Sequence, residues 1–472
     1  MNAFAPFPAP DEQLAQRLRT ALGDDSIRTG THISDKYLGD WSGEKGGRPA
    51  ILALPRNTDE VSRILGICHA AHHPVVPQGG LTGLAGGAVP QEGAVALSLE
   101  RMNGIVELDA DSATVTVLAG TPLQTIQEAA AAEGFLCGLD LGARGSCQIG
   151  GNISTNAGGN RVIRYGMTRD LVLGLEVVLP DGTVLPMMNK MSKNNTGPDL
   201  KQLFIGAEGT LGIVTRAVLR LHPGISGANT ALVALGSFDD ALKLLRHARQ
   251  SLSGLVSAFE LMWADYYRTA IAESNARAPL AADYPLYVLM DMQSAHPEEN
   301  AARFEAMLEH ALSEGWARDV AIAQSHADAE NFWALRDGVG EMLRALAPTI
   351  NFDVSVPVSS IGLCVQRMRN AMESGFPGIR HMYFGHIADG NVHIVVGPLP
   401  QDEGHTGHEI ERAFYAIVRD LSGSVSAEHG IGLHKRPWLA YSRSPAEIHL
   451  IRILKQALDP HGIMNPGKII TT

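Results

Sequence analysis

Cysteine and long apolar runs are both scarce in this sequence of 472 residues. Its four cysteines form no CxxC pair, which predicts reduced thiols and a cytoplasmic location. No apolar run approaches the roughly 18 residues that a membrane-spanning helix needs, since even residues 171–180 include Glu176. The first residues lack a basic region followed by an apolar stretch, so a secretory signal is not expected.

Positive charge is also in short supply, because 38 Lys and Arg face 50 Asp and Glu, a net charge of −12. This balance argues against nucleic acid or an anionic membrane surface as the main partner. It leaves room for a small anionic substrate that a few local arginines bind. The length predicts two or three domains.

The common nucleotide-binding motifs are missing as well. Neither GxGxxG nor GxxxxGK[ST] occurs, so neither an NAD fingerprint nor a P-loop is predicted. Glycine is nevertheless dense in PQGGLTGLAGG (77–87), LGARGSCQIGGNISTNAGGN (141–160) and IGAEGTLGIV (205–214). Because glycine lets backbone N–H groups approach a phosphate closely, the three stretches together favour a bound dinucleotide over simple turns.

Local patterns predict a mixture of helices and strands. Asn57 and Glu60 form a capping-box pattern at the start of one helix, and Thr121 is the expected N-cap of another. Two hairpins are predicted, the second turning at Asp181–Gly182. After a composition shift near residue 223, a strand–helix–strand pattern occurs twice, which predicts one antiparallel sheet with helices on one face.

Two further motifs bring histidine and glutamate together. FGHIADGNVH (384–393) contains His386 and His393, and SAEHGIG (426–432) contains Glu428 beside His429. Two imidazoles and one carboxylate suit a catalytic Zn²⁺ best, and Mn²⁺ or Fe²⁺ also fits. The two histidines can converge across the ADGN turn. With 18 histidines in the chain, however, ordinary loop residues remain the alternative at this point.

The longest motifs carry a family resemblance. PVVPQGGLTGLAGG, GGNISTNAGGNRVIRYG and GPDLKQLFIGAEGTLGIVT resemble the FAD-binding domain of the vanillyl-alcohol oxidase flavoproteins. With FGHIADGNVH, SAEHGIG and the terminal MNPGK, they resemble the FAD-linked D-2-hydroxyacid dehydrogenases, the D-lactate and D-2-hydroxyglutarate enzymes, from about residue 45 onward. The resemblance implies an α+β fold. Its parts are an N-terminal helical segment (1–44), a two-lobed FAD-binding domain (45–223), a substrate-binding cap domain with an antiparallel sheet and flanking helices (224–425), and a segment that completes the active site and returns to the FAD domain (426–472).

The resemblance also implies that FAD is bound non-covalently. The first glycine loop reads GGLTG and lacks the histidine through which several relatives attach the flavin. The residues expected to bind FAD lie in the three glycine-rich stretches, the ADGN turn and the MNPGK tail. They are Pro77, Gly79, Gly80, Thr82, Gly83, Leu84, Gly87, Gly142, Ser146, Gly150, Gly151, Asn152, Ser154, Thr155, Asn156, Gly158, Glu208, Gly212, Ile213, Asn391 and Asn465.

By the same resemblance, the divalent metal is bound by His386, His393 and Glu428, and His429 is the general base. Arg336, in FWALRDGVGEM, matches the arginine that binds the substrate carboxylate. The alternative for Arg336 is a solvated charge on a helix. In the implied reaction a chelated metal lowers the hydroxyl pKa of a 2-hydroxy acid, the base removes the proton, and hydride passes from C2 to flavin N5.

Three positions bear on the substrate. Relatives that act on 2-hydroxyglutarate resemble one another in carrying Thr, Lys and Asn for the distal carboxylate, where this chain has Gly340, Asn351 and Val395. An unpaired carboxylate in a closed pocket costs several kcal/mol, which favours a monocarboxylic, D-lactate-like substrate. D-2-Hydroxyglutarate remains the alternative, because SAEHGIGLHKRPWL looks closer to that branch and His434 or Lys435 could supply the charge.

Several questions stay open at the level of the sequence. A quinone, a cytochrome, an electron-transfer flavoprotein or oxygen could accept the electrons, so dehydrogenase and oxidase are both compatible with the motifs. A homodimer is the common default for such chains. Two functions of other classes remain: a metal-dependent hydrolase, which leaves the glycine-rich half unexplained, and a flavoprotein subunit that only passes electrons, which needs neither His429 nor the metal ligands.

Overall fold

The computed structural model describes residues 12–44, 46–274, 276–402 and 404–471. The chain forms two compact units. Unit 1 comprises Met1–Gly159, Gly166–Pro223 and Glu428–Thr472, and unit 2 comprises Asn160–Tyr165 and Gly224–Ala427. Among the described residues, no helix combines the length and the apolar character needed to cross a bilayer. All four cysteines are free and buried, and burial raises the pKa of Cys68 to about 12.

The helices and strands follow one another throughout both units. The α-helices are α1 (Glu12–Leu22), α2 (Thr58–Ala70), α3 (Leu123–Ala132), α4 (Ile149–Thr155), α5 (Val162–Tyr165), α6 (Thr168–Leu171), α7 (Phe238–Ser251), α8 (Ala264–Glu273), α9 (Pro297–Ser313), α10 (His326–Asp337), α11 (Val339–Ala345), α12 (Ile361–Gly375), α13 (His405–Asp420) and α14 (Pro445–Leu458). The strands are β1 (Ile27–Thr29), β2 (Ile51–Ala53), β3 (Val75–Gln78), β4 (Val95–Ser98), β5 (Ile105–Asp109), β6 (Thr114–Leu118), β7 (Phe135–Leu136), β8 (Val172–Val178), β9 (Val184–Met187), β10 (Ile213–Arg220), β11 (His222–Pro223), β12 (Gly227–Leu235), β13 (Val256–Trp263), β14 (Leu286–Ser294), β15 (Ala317–Ile322), β16 (Ile350–Ser355), β17 (Arg380–His386) and β18 (Asn391–Gly397).

Unit 1 contains two larger sheets. A four-stranded sheet has the order β1-β2-β4-β3, in which β2, β4 and β3 run parallel and β1 is antiparallel. A five-stranded antiparallel sheet has the order β5-β6-β10-β8-β9 and contains both predicted hairpins. The segment before residue 45, expected to be helical, therefore also supplies strand β1. Residues 1–11 of that segment lie outside the described part of the chain.

Helix α2 follows its sequence pattern, whereas α3 does not. The Asn57 side chain accepts a hydrogen bond from the Glu60 amide at 2.9 Å, so the predicted cap is confirmed. Thr121, however, does not cap α3, which begins at Leu123 with Pro122 as its N-cap. The Thr121 hydroxyl instead donates to the carbonyl of Leu118, the last residue of β6, at 2.7 Å. The side chain therefore bonds to the preceding strand and not to the first turn of α3.

The C-terminal tail joins the four-stranded sheet of unit 1. The Val75 amide donates to the Ile463 carbonyl at 2.8 Å, and the Asn465 amide donates to the Val75 carbonyl at 2.8 Å. Lys455 of α14 is buried and donates to the Met464 carbonyl at 2.7 Å and to the Asp459 carboxylate. The MNPGK segment is thereby held beside β3, directly before the first glycine-rich stretch.

Unit 2 is built on one seven-stranded antiparallel sheet with the order β15-β12-β14-β13-β17-β18-β16. The expectation of helices on one face holds for α7 and α9, the helices of the two strand–helix–strand patterns, whose His247 and His310 rings lie 4.5 Å apart. The whole sheet, however, has helices on both faces. Phe384 is in register with His393 and Phe352 with Ile394, so the two phenylalanines point to opposite faces. Tyr266 of α8 contacts Phe384, with ring centroids 4.4 Å apart, and Phe414 of α13 contacts Phe352 at 4.9 Å.

A tight turn joins β17 to β18. Gly390 ends it with a φ of +84°, and a Cβ added there would lie 2.7 Å from the Val356 carbonyl oxygen. Only glycine fits this position without strain. The turn fixes the register of the two strands, in which Phe384 lies opposite His393.

Gly390→Ala is expected to destabilise the protein by about 1–3 kcal/mol. Alanine would have to adopt an unfavourable positive φ, and its Cβ would clash with the Val356 carbonyl oxygen. Gly375→Ala is the matched control, since an added Cβ on this exposed helical glycine contacts nothing within 4 Å. The control should leave stability unchanged or raise it by about 0.5–1 kcal/mol. Urea unfolding followed by circular dichroism measures both, and equal midpoints for the two variants would contradict the role given to Gly390.

Candidate functional site

His386 and His393 converge in unit 2, as the sequence suggested. His386 is the last residue of β17 and His393 is the third residue of β18, so the strand register determines their approach. Their ring centroids are 5.3 Å apart, and one nitrogen of each lies within 4.8 Å of the other. Two imidazole nitrogens at this separation suit coordination of one divalent cation.

Glu260 of β13 is the residue that the sequence interpretation missed. It is 1% exposed, its Oε1 lies 2.7 Å from His386 Nδ1, and its Oε2 accepts a hydrogen bond from Arg336 Nε at 2.8 Å. Burial alone raises the pKa of this carboxyl group, but His386 and Arg336 outweigh burial and lower the pKa to about 2. A single acid in the apolar strand sequence VSAFELMW was the available signal.

Arg336 of α10 is a buried residue and not a solvated helix charge. It is 4% exposed, and its guanidinium carbon lies 4.9 Å from the centre of the Phe384 ring. The Tyr266 hydroxyl donates to the Arg336 carbonyl at 2.6 Å and so holds the helix at this residue. Among the described residues, the protein hydrogen bond of the Arg336 guanidinium is made by Nε, to Glu260. The two Nη atoms are therefore available to donate to a carboxylate ligand.

His393 also has a carboxylate nearby. Its Nδ1 lies 4.0 Å from Asp353 Oδ1, and Asp353 is fully buried on β16. Asp353 accepts hydrogen bonds from Asn391 Nδ2 at 3.0 Å and from the Ser426 hydroxyl at 3.2 Å. Asn391, a predicted FAD-binding residue, therefore uses its amide nitrogen to orient Asp353. Its Oδ1 is buried and has no partner among the described residues.

Glu428 and His429 belong to unit 1, directly after Ala427 of unit 2 in the chain. The Gly159 amide donates to Glu428 Oε1 at 2.6 Å. His429 is half-buried. The predicted site residues are therefore divided, with the two histidines and the arginine in unit 2 and the Glu–His pair in unit 1. Their roles as ligand and base stay predictions.

The glycine-rich stretches of unit 1 fit a bound dinucleotide. A Cβ added at Gly80 would lie 2.0 Å from the Ser146 carbonyl oxygen, so the first two stretches are in direct backbone contact. A Cβ added at Gly142 or Gly151 would meet nothing within 4 Å. Close by in the sequence, Asn152 Oδ1 and Gln148 Oε1 are buried without a partner among the described residues. Open backbone beside unpaired acceptors is the environment that a polar cofactor requires.

Glu208, another predicted FAD-binding residue, is held by protein groups of unit 1. Its carboxylate accepts hydrogen bonds from the Ile431 amide at 2.7 Å and from the Gly432 amide at 2.8 Å. Asn465 Nδ2 donates to the Glu208 carbonyl at 2.7 Å and to the Gly87 carbonyl at 3.0 Å. The third glycine-rich stretch, the HGIG turn and the MNPGK tail thus meet at this glutamate. Asn465 Oδ1 is buried without a partner in the described chain and remains an acceptor for a ligand.

Comparison with known families matches most of the chain. A model described as "FAD binding domain" matches residues 49–187, and one described as "FAD linked oxidases, C-terminal domain" matches residues 226–469. A D-2-hydroxyglutarate dehydrogenase of Xanthomonas citri pv. viticola is 40% identical over 95% of this chain and 95% of its own. The mitochondrial D-2-hydroxyglutarate dehydrogenase of Arabidopsis thaliana is 36% identical over 98% of this chain and 82% of its own. A putative mitochondrial D-lactate dehydrogenase of Schizosaccharomyces pombe is 36% identical over 97% of this chain and 90% of its own.

Two solved structures of low sequence identity have the same fold. Substrate-bound p-cresol methylhydroxylase aligns with a TM-score of 0.77 at 16% identity, over 99% of both chains. Alkyldihydroxyacetonephosphate synthase aligns with a TM-score of 0.77 at 16% identity, over 98% of this chain and 86% of its own. These structural similarities confirm the predicted α+β fold, and the family model over residues 49–187 shows its FAD-binding part.

The tail contains a buried charge whose effect on stability can be measured. Lys468 is 1% exposed and donates to the Val89 carbonyl at 2.6 Å. Burial lowers the pKa of its ammonium group to about 8, although Asp40 and Glu208 oppose the shift. The unfolded chain therefore binds more protons at this residue between pH 8 and 10.5, so folding stability rises with pH in that window.

Wild-type protein is expected to gain stability relative to Lys468→Met between pH 8 and 10, by at most about 1.4 kcal/mol per pH unit. The other lysines, tyrosines and cysteines titrate in both proteins, so the comparison isolates Lys468. Thermal unfolding midpoints at pH 7.5, 8.5 and 9.5 provide the measurement. Parallel midpoint curves for the two proteins would show that Lys468 keeps an ordinary pKa.

Proposed function

This chain belongs to the FAD-linked D-2-hydroxyacid dehydrogenases of the vanillyl-alcohol oxidase flavoprotein family, and from that premise we propose that it oxidises a D-2-hydroxy acid to the 2-oxo acid with the help of a divalent metal. It is an FAD-dependent oxidoreductase that acts on a CH–OH group. The observation that carries the proposal is in unit 2, where His386 and Arg336 contact the same buried carboxylate of Glu260.

Arg336 provides the recognition of the acid. Its Nε is occupied by Glu260, so the Nη groups donate to the substrate carboxylate. The Phe384 ring under the guanidinium and the Tyr266 bond to the backbone fix the position of the side chain. A substrate held in this way is oriented before the reaction begins, which lowers the entropic part of the barrier.

Two groups that the fold implies supply the remaining chemistry. The glycine-rich stretches of unit 1 would hold FAD without a covalent bond, and FAD would supply the hydride acceptor. His386 and His393 offer imidazole nitrogens to a divalent cation, which would lower the pKa of the substrate hydroxyl. The match to the family motif assigns Glu428 as the third ligand and His429 as the group that accepts the hydroxyl proton.

His386→Asn should lower the affinity for Zn²⁺ or Mn²⁺ by 100-fold or more as an order of magnitude, because one of two imidazole ligands is lost. His381→Asn is the matched control, since His381 lies on the same strand β17 at a position that points to the opposite face of the sheet. Metal content is measured after dialysis against a chelator, and FAD content is read from the visible spectrum. Equal metal loss in both variants would contradict the assignment.

The residues at the three positions linked to the distal end of the substrate favour a monocarboxylic acid such as D-lactate. Val395 is 3% exposed and packs in an apolar cluster with Met382 and Phe384. Gly340 has no side chain, and Asn351 is exposed and uncharged. The three positions that bind a distal carboxylate in the resembling enzymes therefore offer no cation to such a group here.

D-2-Hydroxyglutarate is the second candidate, and the names of the relatives favour it. The bacterial relative at 40% identity and the plant relative at 36% are both named D-2-hydroxyglutarate dehydrogenases. The relative from S. pombe at 36% identity carries the D-lactate name, so overall similarity does not separate the two substrates. His434 and Lys435 of unit 1 are the remaining cationic candidates, and Lys435 already contributes its charge to the surroundings of Glu208.

Anaerobic reduction of the flavin separates the candidates. We expect D-lactate and D-2-hydroxybutyrate to reduce the flavin with a higher kcat/KM than D-2-hydroxyglutarate, and the L-enantiomers to be inactive. Gly340→Thr combined with Asn351→Lys should raise kcat/KM for D-2-hydroxyglutarate about two- to fivefold, since an ion pair at exposed positions contributes at most about 1 kcal/mol. Ala345→Lys, at an exposed residue of α11, controls for added charge. A wild-type preference for D-2-hydroxyglutarate would overturn the choice of substrate and leave the reaction in place.

A further inference from the structure

The position of Glu260 follows from strand register. Glu260 of β13 is the direct cross-strand partner of His386 of β17, and Leu261 and Met262 continue the pairing with Gly385 and Phe384. Directly opposed residues of an antiparallel pair have Cβ atoms about 4.5–5.5 Å apart on one face of the sheet. The contact between Glu260 and His386 is therefore fixed by main-chain hydrogen bonding and does not depend on a flexible loop.

The two oxygens of Glu260 serve two different residues. Oε1 lies 2.7 Å from His386 Nδ1, and Oε2 lies 2.8 Å from Arg336 Nε. All three side chains are buried, with side-chain exposures of 1% for Glu260, 6% for His386 and 5% for Arg336. A buried carboxylate between two donors has little freedom to rotate, because either movement leaves a donor unpaired at a cost of about 1–3 kcal/mol.

For His386, the contact determines which nitrogen is available. A carboxylate accepts, so the Nδ1 of His386 carries the proton that faces Glu260, and Nε2 presents its lone pair away from Glu260. A carboxylate behind a ligating histidine fixes the ring and increases its basicity as a ligand, and loss of such a partner typically lowers metal affinity about 10–100-fold.

For Arg336, the same carboxylate determines the plane of the guanidinium. Nε is anchored to Glu260 while Phe384 lies beneath the group, so the direction of the Nη atoms is set by two contacts. A planar fork held in this way can form a bidentate bond with a carboxylate at little entropic cost.

We propose that Glu260 is a positioning residue that aligns the metal-binding nitrogen of His386 and the carboxylate-binding face of Arg336 at the same time. The inference rests on the proposed function, which gives those two residues their roles. The metal and the 2-hydroxy acid must bind in a fixed arrangement for the reaction. The buried carboxylate of Glu260 contacts both His386, the proposed metal ligand, and Arg336, the proposed ligand of the acid.

Glu260→Gln tests the proposal with almost no change in shape. An amide offers one acceptor oxygen and one donor nitrogen to two groups that both donate, so one of the two contacts must break. Zn²⁺ affinity, measured by competition with a chelator, should fall about 10- to 100-fold, or the affinity for a 2-oxo acid should fall about tenfold. Pyruvate and 2-oxoglutarate serve as the 2-oxo acid probes, and their binding is read from the perturbation of the oxidised flavin spectrum.

Glu260→Asp is the second variant, because it keeps the charge and thus a paired partner for Arg336. The carboxylate is shorter by one methylene and cannot reach both residues, so one affinity should fall while the other stays within about threefold of wild type. Glu176→Gln is the control for loss of a buried carboxylate, since Glu176 is 8% exposed in unit 1 and accepts from the Thr58 and Thr215 hydroxyls. It should change thermal stability and neither affinity.

The outcomes separate this inference from the proposed function. If wild type binds metal and 2-oxo acid, and both Glu260 variants bind both within about twofold of wild type, Glu260 has no positioning role. If Glu176→Gln lowers the two affinities as much as Glu260→Gln does, the effect is general destabilisation and the inference is also overturned. A wild-type protein that binds neither probe would overturn the proposed function and this inference together.

Discussion

Desolvation of charge is the constraint on which the architecture of unit 2 depends. Glu260 is buried on a strand that is otherwise apolar, and an ionised carboxylate in such a place is tolerated only when it is paired and hydrogen-bonded. Arg336 and His386 meet that requirement, and the Phe384 ring lies against the Arg336 guanidinium. Replacing the set by apolar side chains would cost little stability, so its presence points to a function and not to the needs of folding.

The same constraint operates at Asp353 and Glu208, with different solutions. Asp353 is surrounded by an amide and a hydroxyl side chain, Asn391 and Ser426, and has His393 at 4.0 Å. Glu208 accepts two backbone amides from the turn that follows His429, and burial still raises its pKa. In both places a buried acid fixes chain segments that lie far apart in the sequence. The order of the candidate site therefore comes from polar contacts as much as from apolar packing.

Local sequence patterns predicted many of the helices and strands, but they did not predict the contacts between residues far apart in the chain. Asn57 was recognised as a helix cap because the cap and its partner are three residues apart. The convergence of His386 and His393 could be predicted because one turn joins their strands, whereas Arg336 was named through the family resemblance. Glu260 lies 126 residues before His386, and no local pattern encodes that pairing. The cap predicted at Thr121 was wrong and the helices on the second face of the sheet were not predicted for the same reason, because tertiary contacts determine both.

The residues proposed for the reaction and those proposed for the choice of substrate occupy structurally different places. Glu260, His386 and His393 lie on paired strands in the interior of a seven-stranded sheet, where a change of side chain disturbs several neighbours. Gly340 and Asn351 are exposed, one on a short helix and one near the start of edge strand β16. Substitution at exposed positions is usually tolerated within about 0.5 kcal/mol, whereas buried networks tolerate little. Under the proposed function, the choice of acid can change at exposed positions while the buried residues proposed to bind the metal and the substrate carboxylate stay fixed.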